Sequence, residues 1–174
     1  MSVKNILMLV GEFSEEYEIF VFQQTFEALG HSVDIVCPET KAGYRLTTSV
    51  HDFGPDLMTW SEHRGHAIEI SKDFDAVDTA DYDAVYVAGG RGPEIIRTFP
   101  RIREILREFH RDEKPIASIC HGLQVLAAVP DSAAVWPGHD YGPVPSSTMG
   151  NERRSNYVLE PRSVEEFVAF MAEP

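Results

Sequence analysis

At 174 residues, with 43% apolar and 25% charged side chains, the chain is long enough to bury one full hydrophobic core and too apolar to be mostly disordered. Its 28 acidic residues against 15 basic ones leave a formal charge of −13, which argues against nucleic acid or an anionic membrane as the main partner. Two cysteines, Cys37 and Cys120, make neither a disulfide framework nor a zinc motif, and are expected as reduced thiols of a cytoplasmic protein. The apolar run Ile6 to Val10 is too short for a signal-peptide core, and no stretch approaches the ~20 apolar residues of a membrane span.

Asn5 to Val10 reads as a buried strand, a short continuous apolar run followed by a turn over Gly11 to Ser14. Glu15 to Leu29 shows helical spacing at Ile19, Phe22, Phe26 and Leu29, and Gly30 stops that helix. Val33 to Cys37 is the next strand, closed by Pro38. The three elements make a βαβ unit with parallel strands and a right-handed crossover. Thr47 to Val50 and Ala67 to Ile70 predict short strands, an excursion from the main sheet. Asp83 to Ala88 is a buried strand ending in the tight loop Gly89-Gly90-Arg91-Gly92, and Pro93 opens a helix expected to run to about His110. Lys114 to Ile119 is another buried strand that runs into Cys120-His121-Gly122, with a helix following through Ala128. This alternation predicts an α/β fold: a flavodoxin-like, doubly wound, mainly parallel sheet with helices on both faces. The ligand crevice of such a sheet lies at the carboxyl ends of its strands, where Glu15, Glu18, Gly89 to Glu94 and Cys120-His121 all fall. Beyond Pro130, Ala133 to Trp136 predicts a strand, Thr148 to Ser155 and Ser163 to Ala172 predict helices, and Ser163 with Glu166 fits a capping box.

Ala117-Ser118-Ile119-Cys120-His121-Gly122 has the form of a nucleophile elbow, in which a buried strand delivers one reactive side chain to a sharp turn before a helix. The turn is expected to strain the Cys120 backbone. At a helix N-terminus the thiol feels the partial positive charge of unpaired N–H groups, which favours its ionised form. The same region, with Gly89, Gly90 and Gly122, is a candidate for binding substrate or an oxyanion. The structural alternative is a buried, inert cysteine, and that is the reading for Cys37.

These residues carry a family resemblance. The segments Gly11 to Glu18, Cys37-Pro38, Lys41-Ala42-Gly43, His51-Asp52-Phe53, Arg64-Gly65-His66, Ala88 to Glu94 and Pro115 to Gly122 resemble the DJ-1/PfpI superfamily over residues 3 to 128. The likeness is to its glyoxalase III-like branch, which is related to class I glutamine amidotransferases. The resemblance implies that Cys120 is the nucleophile, that Glu18 is the carboxyl group against its thiol, and that Glu15 is a weaker second acid. It implies that His121 follows the nucleophile and that Glu94 matches a glutamate able to reach a neighbouring subunit's site. A homo-oligomer, a dimer or larger, is expected on that basis. A carboxylate beside a thiolate is unfavourable when both are ionised, so a shared proton should raise the Glu18 pKa. The activity implied is cofactor-free conversion of small 2-oxoaldehydes, such as methylglyoxal to lactate, or related deglycase activity. Its partner would be a small reactive carbonyl compound. Alternatives are a redox-sensing or stress-protective protein with an oxidisable Cys120, a Cys-His-Glu peptidase or amidotransferase, and an inactive chimaera.

The chain is expected to be one domain over 1–174 with an atypical segment at 130–174. Val135 to Pro143 and Ser146 to Asn156 resemble the C-terminal end of a metallo-β-lactamase-fold hydrolase of the glyoxalase II type, as in a fusion of two gene fragments. In that family the His of Pro137-Gly138-His139-Asp140-Tyr141 is a metal ligand. The upstream His-x-His-x-Asp-His cluster is missing here, so His139 alone is expected to form no catalytic metal site.

Overall fold

The computed structural model describes residues 2–54, 59–138 and 144–156, together with 163, 165, 166 and 169. Its contacts divide the chain into two compact units, residues 1–128 and 129–174.

The first unit is built on a four-stranded sheet of order β2-β1-β5-β6, from β1 (Asn5–Leu9), β2 (Ser32–Val36), β5 (Ala84–Val87) and β6 (Ile116–Ser118). All three pairings are parallel. Ile6 to Val10 is buried along its whole length because β1 is central and covered on both faces. The crossover through α1 (Glu16–Ala28) steps from β1 to β2, and the one through α3 (Pro100–Arg111) steps from β5 to β6, the opposite way along the sheet. With right-handed crossovers, opposite steps put the two helices on opposite faces, which yields the expected flavodoxin-like layering. On one face Ile6, Met8, Val10, Val33, Ile35, Cys37, Tyr86 and Ala88 form a core with Ile19, and Phe20, Phe22 and Phe26 pack against it. Leu7, Leu9, Val85 and Val87 alternate to the other face, where α3 contacts β5 and β6 and buries Ile102, Ile105, Leu106 and Phe109. Of the apolar positions expected on the first helix, Leu29 is the exception. It caps the helix and is 63% exposed.

The excursion after β2 is an antiparallel hairpin of β3 (Arg45–Asp52) and β4 (Ser61–Glu69), much longer than the strands the sequence suggests. The helix expected from Pro93 to His110 is two helices, α2 (Gly92–Ile96) and α3. Pro100 has no N–H to continue the ladder and forces Phe99 into an extended conformation (ψ 125°), so the chain restarts there. The β6 strand is shorter than expected and only half-buried, because it is an edge of this sheet. After it, Cys120–Ala128 is wound as a 3-10 helix rather than an α-helix.

The second unit pairs β7 (Ala134–Val135) with β8 (Ser147–Thr148) and continues into α4 (Met149–Ser155), which Thr148 caps through the Asn151 N–H at 3.1 Å. Arg153 pins this helix to Asp131 and to the Val129 carbonyl. The Ser163–Glu166 capping box is present, with reciprocal bonds of 2.7 and 3.2 Å. His139 and most of the Ser163 to Ala172 segment lie outside the described residues.

Phe109, near the end of α3, is fully buried. Phe109→Ala is expected to lower unfolding free energy by about 3–5 kcal/mol, read as a lower denaturant midpoint.

Candidate functional site

Cys120 sits where β6 ends. The Ile119 N–H still reaches the Val87 carbonyl at 3.3 Å, and then Cys120 turns into the left-handed region at φ +52°. A non-glycine residue there costs about 1–3 kcal/mol, so the expected strain is present. The turn closes through the Gly122 N–H to Ile119 O bond of 2.8 Å. A Cβ on Gly122 would lie 2.5 Å from the Val87 carbonyl oxygen, so only glycine lets the helix start this close to β5.

The acids come from the start of α1. Glu15 is the N-cap: its Oε2 accepts the Glu18 N–H at 2.9 Å, and it is buried. Glu18, one turn in, accepts the Gly89 N–H at 2.6 Å and interacts with the Cys120 thiol. Its pKa is raised, as expected, but burial is the main cause, and the Glu15 charge adds to it. The thiol and Gly89 act the other way by hydrogen-bonding the carboxyl group. Desolvation, rather than a proton shared with a thiolate, is what favours the neutral acid.

Gly89 brings these groups together. A Cβ there would stand 2.5 Å from Cys120 Cβ and 2.5 Å from Glu18 Oε2. Gly90, at φ +71°, lies equally close to Glu15 N and Phe13 O. The glycines therefore serve close approach. As oxyanion donors the Gly89 and Gly122 N–H groups are already engaged, one by Glu18 and the other by Ile119, which corrects the expectation for both.

His121 has an acid of its own. Its Nδ1 lies 3.0 Å from Glu94 Oε1, so Glu94 orients His121 within the same chain. This pair was hidden in the sequence because 27 residues separate its members.

The sequence also gave no role to the outer wall. A cavity of about 380 Å³ opens in front of Cys120, lined by Glu15, Tyr17, Glu18, His51, Phe53 and Trp60, and its surface is mostly apolar. A larger hollow beside Thr79 and Glu108 is remote from this chemistry. The hairpin that supplies His51 and Trp60 is tied to α1 by Glu16, which accepts from Thr48 Oγ1 at 2.7 Å and from His66 N at 2.5 Å and pairs with His66 Nδ1 at 2.8 Å. Burial alone would raise the Glu16 pKa, but these bonds outweigh it and lower it. Among the described residues, no group of three or more His, Cys, Asp or Glu could hold a metal ion, and no helix is long and apolar enough to cross a membrane.

The DJ-1/PfpI family pattern matches residues 4–140. The chain belongs to the DJ-1/PfpI family. Protein DJ-1 homolog D of Arabidopsis thaliana is 47% identical over 125 residues, covering 72% of this chain and 32% of that protein. A deglycase of Thermococcus kodakarensis is 42% identical over 62 residues, 36% of this chain and 37% of that protein. The chain spans about a third of the length of the Arabidopsis relatives it matches. The structure of Drosophila melanogaster DJ-1beta superposes with a TM-score of 0.57 at 20% identity, over 73% of this chain and 60% of that one. None of these matches supports a metallo-β-lactamase origin for the tail of this DJ-1/PfpI chain.

A raised Glu18 pKa has a consequence for stability. Above its ordinary value of 4.5 the folded state binds more protons than the unfolded state, so stability falls as pH rises through the folded-state pKa. Glu18→Gln is expected to melt at a higher temperature than the wild type at pH 8, with the gap closing as pH falls below the ordinary carboxylate range; parallel melting curves across pH check this.

Proposed function

We propose that this chain is a cysteine-dependent enzyme acting on small reactive carbonyl compounds, converting 2-oxoaldehydes to 2-hydroxy acids or carrying out the related deglycase chemistry. The observation that carries the reading is the half-buried Glu18 carboxyl group, whose pKa is raised by burial, hydrogen-bonded to the Cys120 thiol beside a mostly apolar cavity. The deglycase names of archaeal relatives support the same class of chemistry.

Cys120 reacts as its thiolate, the thiol proton having passed to solvent; the sulfur bonds to the aldehyde carbon, the carbonyl π bond breaks and its oxygen takes a proton from Glu18, giving a hemithioacetal. Glu18, now a carboxylate, takes the hydrogen of that carbon and returns it to the neighbouring carbon by way of an enediol, while the hydroxyl proton passes to the former ketone oxygen. The product is a thioester of the 2-hydroxy acid. Water cleaves its C–S bond and restores the thiol. The aldehyde carbon is oxidised as the ketone carbon is reduced and one water is consumed, so the redox balance closes within the substrate. Glu15 holds the start of α1, and with it Glu18, in place.

The Glu94–His121 pair favours a second reading, a Cys-His-Glu hydrolase in which His121 serves as the base. Variants separate the two. With methylglyoxal, no glutathione and a chelator present, Cys120→Ser should abolish lactate formation, and Glu18→Gln should lower kcat by about a hundredfold to ten-thousandfold. A loss of that size in Glu94→Gln, with Glu18→Gln active, would instead assign the proton transfers to His121, as the second reading requires. Absence of turnover in the folded wild type would overturn the carbonyl reading.

A further inference from the structure

The cavity before Cys120 has two kinds of lining. Glu15, Glu18 and Cys120 are its reacting groups, and Tyr17, His51, Phe53 and Trp60 bring four rings to it, the His51 backbone N lying 3.5 Å from Glu15 Oε1. We propose that these rings are an aromatic subsite selecting 2-oxoaldehydes that carry an aryl or similarly large apolar substituent over methylglyoxal. This rests on Cys120 being the carbonyl nucleophile.

Size and surface both point this way. About 380 Å³ lies in the range that encloses ring-bearing ligands of substantial size. A three-carbon oxoaldehyde attached to Cys120 would leave most of that space to water against an apolar wall. The rings form a series: His51 and Trp60 centroids are 5.4 Å apart at 33°, and Phe53 and Trp60 are 6.1 Å apart at 42°. Both centroid distances lie in the range over which aromatic rings attract one another, and another ring can join them. Phe53 is 71% and Trp60 40% exposed, so their apolar surface is available to a ligand. The wall is also fixed in advance. Glu16 ties the hairpin to α1 through Thr48 and His66, and Arg91 Nε holds Glu62 of β4 at 2.9 Å from the Gly-rich loop. A cationic substituent is less well served: Glu15 is engaged by the Glu18 N–H, and burial favours neutral Glu18.

The test measures kcat/KM for phenylglyoxal and methylglyoxal in the wild type, Trp60→Ala, Trp60→Phe and Phe53→Ala. The wild type is expected to prefer phenylglyoxal by about tenfold. Trp60→Ala should reduce the phenylglyoxal-to-methylglyoxal ratio about fivefold to tenfold, the effect of losing one ring contact, and Trp60→Phe should largely preserve it. Methylglyoxal turnover without an aryl preference, or a ratio that Trp60→Ala leaves unmoved, overturns the subsite. Failure to turn over either substrate overturns the underlying carbonyl reading, and binding then decides the subsite by itself. Acetophenone, a neutral aryl ketone, should slow iodoacetamide alkylation of Cys120 in the wild type more than acetone does, and Trp60→Ala should lose that difference. Equal protection by the two ketones overturns the subsite. Cys37 does not confuse the readout, because it is buried and its thiol is pushed up to about 12.

Discussion

Gly89 donates its backbone N–H to Glu18 at 2.6 Å while standing too close to Cys120 for any side chain of its own. Three separate pieces of the fold meet there: the end of β5, the first turn of α1 and the turn after β6. A doubly wound sheet makes this meeting natural, since β1 and β5 are the neighbours at which the strand order reverses. A methyl group at this position would have to displace either the acid or the nucleophile, and the reacting groups of the cavity would come apart. The site therefore depends on an absent side chain as much as on those present.

The same crowding sets the electrostatics. Packing Glu18 between Gly89, Glu15 and Cys120 takes its carboxyl group out of water, and that penalises the charged form more than its hydrogen bonds reward it. An acid whose neutral form is favoured beside a nucleophile can give a proton to a forming alkoxide without drawing one from solvent. The chain's net charge of −13 says nothing about this, because a pocket's local balance is decided by burial and neighbours. Next to Cys120 in the chain, the His121 ring is fixed by Glu94, an acid 27 residues away.

Around this centre the β3–β4 hairpin acts as a wall. It belongs to a sheet of its own, yet Ser49 N donates to Ser14 O at 3.0 Å and Phe13 N to Thr47 O at 2.9 Å, joining it to the turn that precedes α1. Glu16 completes the join. Adjacent acids thus do different work: Glu15 caps the helix, Glu16 fastens the wall and Glu18 faces the thiol, as the helical turn directs them.

The amino-acid sequence by itself determined the parallel sheet and the elbow at Cys120; the approach of Glu18 was implied by the family resemblance. Continuous apolar runs can be satisfied only by strands buried on both faces, and a strand running into Cys-His-Gly leaves few turns open. It also determined the Ser163–Glu166 capping box, which is a local bond between residues three apart. Tertiary structure alone decided what lies far apart in the chain. The Glu94–His121 pair, the hairpin's aromatic wall and the use of the glycine N–H groups depend on which segments the sheet order brings together. The break before Pro100 and the tight helix after Cys120 belong with these, since a periodic apolar pattern is compatible with one helix or two and with either winding. Periodicity records which face of an element is buried; it carries no information about which distant residue will be waiting there.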